Sequence, residues 1–112
     1  MMELIETFAL LIFAHALADY PLQGDFLARG KNRTAPIHEI PWQHPMAAHS
    51  IIHGGFVGAI TGSLLLGIAE AVAHAMIDDA KCRGRFGYHA DQALHVACKI
   101  AWVVLAALFG TP

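Results

Sequence analysis

Apolar residues gather along this chain in four long stretches, residues 4–18, 46–63, 64–80 and 90–109, each rich in Leu, Ala, Ile and Val and each longer than a core strand. A bilayer-crossing helix uses about 17–25 mostly apolar residues, so the first stretch is long enough only if it continues through Met1 and Tyr20. The pattern predicts an all-α fold, an integral membrane bundle of four helices forming a single domain over residues 1–112. The second and third stretches make an apolar block from residue 54 to 77, broken chemically by Glu70 and His74. With a tight turn between residues 62 and 67, they read as an αα-hairpin.

Between the first two stretches runs the one long connection, residues 20–44, with Pro21, Pro36 and Pro41 and the basic residues Arg29, Lys31 and Arg33. It reads as a loop with at most an interfacial turn, where Leu22, Phe26 and Leu27 lay an apolar edge on the membrane surface. Pro45 suits the first position of the second helix, because its missing N–H has no intrahelical partner there. Gly84 and Gly87 stop the third helix, and Asp91 complements the dipole at the start of the fourth. Gly54, Gly58 and Gly62 repeat every four residues, the small-residue spacing that lets membrane helices approach closely.

Composition strengthens the membrane reading. The chain is 56% hydrophobic and 14% charged, with mean hydropathy +0.49, against about 25% charged residues in ordinary soluble domains. A net charge of −2 gives no cationic field for nucleic acid, which is excluded as a partner; membrane lipid takes its place. Cys82 and Cys98 lack metal or redox spacing and read as free thiols. Glu3 and Glu6 stand where a secretory signal would be basic, so the first stretch reads as part of the mature protein. Lys and Arg concentrate in two connections, Arg29, Lys31 and Arg33 in one and Lys81, Arg83 and Arg85 in the other. By the positive-inside rule both face the cytoplasm, giving a multi-pass inner-membrane protein with both termini external.

Eight histidines are many for so apolar a chain. His15 and Asp19 end the first helix, His49 and His53 open the second, His74 and Asp78 close the third, and Asp91 and His95 open the fourth. Each pair has i,i+4 spacing and so shares one helix face. Because the two basic connections share a membrane side, all four pairs reach the same end of the bundle. Hydrogen-bonding glue is the simplest use of any one pair. Yet such contacts average about 0.6 kcal/mol, while an ionisable residue in the membrane costs roughly 2.5–3.5, so glue does not account for the whole group. Imidazole and carboxylate on rigid helices are what one or two divalent ions of Zn, Mn or Fe need, and the four pairs supply up to eight candidate ligands. His38, His44 and His89 fall in loops and read as surface residues. Glu70 and Lys99 read as a structural pair.

The segments HALADYPLQ (residues 15–23), Lys31, AAHSIIH (47–53), HAMIDDAK (74–81) and DQALH (91–95) stand in an order that resembles the family catalogued as domain of unknown function 3307, small multi-helix membrane proteins of bacteria and their phages. The resemblance implies a shared pattern on His15, Asp19, Gln23, Lys31, His49, His74, Asp78, Lys81, Asp91, Gln92 and His95. A weaker likeness, in topology and His/Asp content alone, is to membrane-bound metal-dependent hydrolases.

With the resemblance added, the expected function is metal-dependent hydrolysis of a phosphate-containing or membrane-linked substrate at the cytoplasmic end, with His15, Asp19, His49, His74, Asp78, Asp91 and His95 holding one or two ions and the metal acidifying the attacking water. Lys31 and Lys81 would neutralise the anionic group of a small molecule or lipid phosphate, and Gln23 and Gln92 would orient it or support the ligands. The alternative is a non-enzymatic membrane binding protein with a structural metal or polar core. Ion or proton passage ranks last, because the second and fourth helices are apolar in their outer halves.

Overall fold

The computed structural model describes residues 3–110 and, among them, contains five helices and no strands: α1 (Leu4–Asp19), α2 (Gly24–Gly30), α3 (Gln43–Thr61), α4 (Leu64–Cys82) and α5 (Tyr88–Phe109). The all-α expectation is met, and four of the helices are the four apolar stretches. The extension of α1 through Met1 falls outside the described residues.

The fifth helix, α2, is a correction, since it lies in the connection read as a loop. It has seven residues and opens at Gly24 with φ 64°, a left-handed conformation that glycine adopts without strain. Two turns are too few for an apolar period to register in the sequence. The axes of α1 and α2 differ by 85°. Beyond α2 the chain is tied to the bundle by Arg33, whose Nε and Nη2 donate to the two carboxylate oxygens of Asp79 at 2.8 Å each. The Arg33 guanidinium also lies 4.2 Å from the centre of the Trp42 ring.

The α3–α4 hairpin forms as expected, with a shorter turn. Gly62 caps α3 in the left-handed region, φ 74°, and returns its N–H to Gly58 at 2.9 Å. The Ser63 hydroxyl then caps α4, accepting from the Leu66 N–H at 3.2 Å. The close approach uses Gly54 and Gly58 of the stripe against Gly67 of α4, where a Cβ on Gly67 would also sit 3.1 Å from the Gly58 Cα. A Cβ on Gly54 would sit 2.5 Å from the Gly67 carbonyl oxygen, and one on Gly67 would sit 2.7 Å from that of Gly54. At Gly58 a Cβ would meet nothing nearer than 3.6 Å. Pro45 is the third residue of α3 rather than the first, still within the turn whose N–H groups have no intrahelical partner. Gly84 follows the end of α4 as expected, while Gly87 serves as the N-cap of α5.

Polarity is inverted. Among the described residues the buried hydrophobic side chains are Leu11, Ala14, Ala18, Met46, Val57 and Val103, and the buried polar or charged ones are twice as many. Ile5, Phe13, Leu64, Leu65, Met76 and Phe109 are exposed, each by two thirds or more. One helix, α5, is long and apolar enough by itself to cross a membrane, and α1 with α2 passes the same test as a bent pair. The other two helices spend part of their length on site residues: His49 and His53 in α3, and Glu70, His74, Asp78 and Asp79 in α4.

Candidate metal centre

Helical spacing delivers the cluster. The i,i+4 pairs of α1, α3, α4 and α5 turn inward together, and five imidazoles form one continuous array. His53 stacks on His74 with ring centroids 3.7 Å apart, and His74 on His95 at 4.2 Å. His49 packs edge-on at 4.8 Å to His53 and 4.9 Å to His74, and His15 closes the ring at 5.3 Å to His53 and 5.5 Å to His95.

The carboxylates sit among these rings. Asp19 Oδ1 lies 2.9 Å from His53 Nε2 and 3.3 Å from His49 Nε2, and its Oδ2 lies 3.3 Å from His15 Nε2. Asp78 Oδ2 is 3.7 Å from Nε2 of both His49 and His74, and Asp91 Oδ1 is 3.3 Å from His95 Nε2. Ligands about 2.0–2.1 Å from a tetrahedral ion stand roughly 3.3–3.4 Å from one another, so several of these separations are already those of a coordination edge. Two groups bring one ligand atom per residue within 4.8 Å of all the others: Asp19, His49, His53 and His74, and then Asp78, Asp91 and His95.

Buried polar atoms are normally paired, and several here are not. Among the described residues Nδ1 of His49, Nε2 of His74 and Nδ1 of His95 are buried without a hydrogen-bond partner, and His49 Nε2 and Asp91 Oδ1 have, within hydrogen-bonding reach, only the 3.3 Å approaches of Asp19 and His95. The donor set therefore fits a divalent cation on three counts: atom type, spacing and unsatisfied lone pairs.

A supporting layer surrounds these groups. His74 donates its Nδ1–H to Glu70 Oε2 at 3.2 Å, which leaves the Nε2 lone pair facing Asp78. Glu70 Oε1 accepts from Lys99 Nζ at 2.9 Å and from Trp102 Nε1 at 2.7 Å, a network sealed inside the bundle. Gln92 accepts from His15 through Oε1 at 3.1 Å and donates from Nε2 to Asp19 at 3.2 Å and to Asp91 at 3.1 Å. Lys31, carried inward from the end of α2, donates to Asp78 Oδ2 and Gln23 Oε1, both at 2.5 Å. Gln23 in turn donates to the backbone carbonyl of Asp19 at 3.0 Å. At the rim the Tyr20 and Tyr88 hydroxyls hydrogen-bond to each other, which raises the Tyr20 pKa above the ordinary phenol value.

All seven sequence-predicted ligands meet at this end of the bundle. Three of the four residues expected to handle substrate, Gln23, Lys31 and Gln92, join them by direct contact. Lys81 does not: it is half-buried, and its ammonium makes no hydrogen bond or ion pair among the described residues. His53 pairs with His49 in the sequence but lies outside the family pattern and so outside the seven-residue ligand set. The structure places it against Asp19, and its i,i+4 spacing from His49 was the signal. Glu70 and Lys99 pair as expected, but Glu70 also holds His74. His38, His44 and His89 are exposed, although His44 and His89 stand in the first turns of α3 and α5 rather than in loops.

The fold and site together define an all-α helical bundle whose interior is a His/Asp/Glu/Lys cluster gathered from four helices and from Lys31 at the end of α2. The chain belongs to the family described as protein of unknown function DUF3307, which matches residues 7–111. No curated protein and no solved structure matches it.

Proposed function

We propose that this protein is a small integral membrane protein with a divalent metal centre, Zn, Mn or Fe, at the cytoplasmic end of its bundle, acting as a metal-dependent hydrolase on a phosphate-containing or membrane-linked substrate. The observation that carries the metal reading is the set of buried ring nitrogens on His49, His74 and His95 that lack a hydrogen-bond partner among the described residues, beside the carboxylates of Asp19, Asp78 and Asp91. A divalent ion in such a set supplies Lewis acidity and acidifies water for attack on an ester. Asp19, His49, His53 and His74 would hold it, Glu70 would fix the His74 ring, and Gln92 would tie Asp19 to Asp91.

The membrane reading is supported by the inverted polarity, since an apolar exterior around a polar interior is stable where the surroundings are lipid. Placement in the inner membrane with both termini external rests on the Lys and Arg distribution. A reporter fused after Pro112 is expected to read as external and one inserted beside Thr34 as cytoplasmic; the reverse pair of results overturns the orientation.

Metal analysis of detergent-purified protein, prepared without added metal or a His tag, tests the centre. Near-stoichiometric Zn, Mn or Fe is expected, with a stability that falls when a chelator removes it. Metal-free protein whose stability ignores added metal overturns the reading. One observation favours the alternative, a non-enzymatic binding protein with a structural metal or polar core: Lys31 is engaged with Asp78 and Gln23 rather than free to meet a substrate.

A further inference from the structure

The buried charges of the cluster do not cancel. Four carboxylates, Asp19, Glu70, Asp78 and Asp91, face two ammonium groups, Lys31 and Lys99. Lys99 lies on Glu70 at 2.9 Å and Lys31 on Asp78 at 2.5 Å, so each of these pairs is internally neutral. Among the described residues Asp19 and Asp91 form no ion pair with a Lys or Arg, Lys81 acting on Asp91 only from a longer distance, and with neutral imidazoles the buried groups carry two negative charges. In a low-dielectric interior an uncompensated charge is expensive, and the number of ions such a site accepts follows its charge. One divalent cation neutralises this cluster. A second would leave a buried charge of +2 unless an anion came with it.

The ligands divide in the same way. Asp19, His49, His53 and His74 form one set with one uncompensated carboxylate, and Asp78, Asp91 and His95 form the other with one more. In the first set His53 and His74 stand a turn further from the helix ends than His49 and Asp78, while Asp19 closes α1 and is the one ligand that is only partly buried. The second lies towards the loops: Asp91 is in the first turn of α5, and the Asp78 carboxylate is held by Lys31 from the end of α2. Asp91 Oδ1 is buried with only the 3.3 Å approach of His95 Nε2, and His95 Nδ1 is buried with no hydrogen-bond partner among the described residues. Asp78 and Gln92 connect the two sets, the first by its 3.7 Å approaches to His49 and His74 and the second by its bonds to Asp19 and Asp91.

From this charge count and this division we infer that the cluster holds one resident divalent ion on Asp19, His49, His53 and His74, and takes a second on Asp78, Asp91 and His95 only together with a phosphate group. The phosphate dianion supplies the two negative charges that the second ion requires. Lys31 is the cation at hand to share between Asp78 and that phosphate. The inference rests on the metal reading proposed above and adds to it an order of loading: cation first, then phosphate and second cation together.

Metal-free protein in detergent is titrated with Mn²⁺ alone and with Mn²⁺ plus inorganic phosphate, and bound metal is counted per chain. One ion is expected without phosphate and two with it. Asp91→Asn is expected to keep the resident ion and lose the phosphate-dependent one, and His53→Ala to weaken the resident ion. Reconstitution into phosphatidylcholine nanodiscs with and without phosphatidate, in phosphate-free buffer, tells whether a lipid phosphomonoester supports the second ion as the soluble anion does. Two ions in the absence of any phosphate, or one ion whatever the anion, overturns the inference while leaving the metal centre standing. No bound ion under any condition overturns the metal centre itself.

Discussion

Glu70→Ala is expected to destabilise the protein by about 3–5 kcal/mol, the cost of leaving a buried charge without its partner. Lys99 is 2% exposed and its Nζ bonds Glu70 Oε1 at 2.9 Å, its one ion pair among the described residues. The substitution strands that ammonium and also removes the acceptor for Trp102 Nε1 and His74 Nδ1. Glu70→Ala combined with Lys99→Met removes both charges and is expected to recover most of the lost stability, because the desolvation cost disappears along with the attraction. Thermal unfolding of the three proteins in one detergent measures this. A double variant no more stable than Glu70→Ala would show that the network does more than balance charge. The His74 ring stays unanchored in the double variant, so metal affinity is expected to remain about 10- to 100-fold down even where stability returns.

Asp19→Asn should lower affinity for the resident ion by at least about 100-fold, since it removes a ligand rather than a group that orients one. Asp19 is the most shared side chain of the cluster, within 3.3 Å of nitrogens on His15, His49 and His53 and bonded to Gln92. Asn keeps the shape and one carbonyl oxygen but loses the charge, one of the two uncompensated in the cluster. Competition against a chelator of known affinity gives the change, far-UV circular dichroism checks the helices, and His89→Ala, exposed and remote from the cluster, is expected to match the unaltered protein. Equal affinity in Asp19→Asn would remove the carboxylate from the ligand set.

The site was more legible in the sequence than the connections around it, for a geometric reason. His15 with Asp19, His49 with His53, His74 with Asp78 and Asp91 with His95 are each one helical turn apart, and a period of 3.6 residues places both members on one face whatever the tertiary packing does. Given four long helices with short or basic connections, their common end followed from chain direction alone. What escaped detection depended on tertiary contacts. Lys31 enters the candidate site through the family resemblance, but it follows a seven-residue helix too brief to show a period, and nothing in its neighbours indicates that its ammonium reaches Asp78. Glu70 was seen to pair with Lys99, but its second oxygen reaches His74, and a pair read as structural holds a candidate ligand in place. The glycine stripe of α3 identified a close approach without identifying its partner, because Gly67 lies on the facing helix and outside the repeat.

The two-residue turn at Gly62 and Ser63 bears on the order in which the molecule assembles. Closing so short a loop costs little entropy, so α3 and α4 can pair locally and early, with Gly54 against Gly67 setting their register. That hairpin contains His49, His53, His74 and Asp78 but neither Asp19 nor Asp91, which arrive on α1 and α5 from opposite ends of the chain. Before α1 and α5 dock, the hairpin therefore offers two carboxylates, Glu70 and Asp78, and three imidazoles, an incomplete set. Only when the first and last helices dock does it gain the remaining acids, so completion of the centre is tied to completion of the fold.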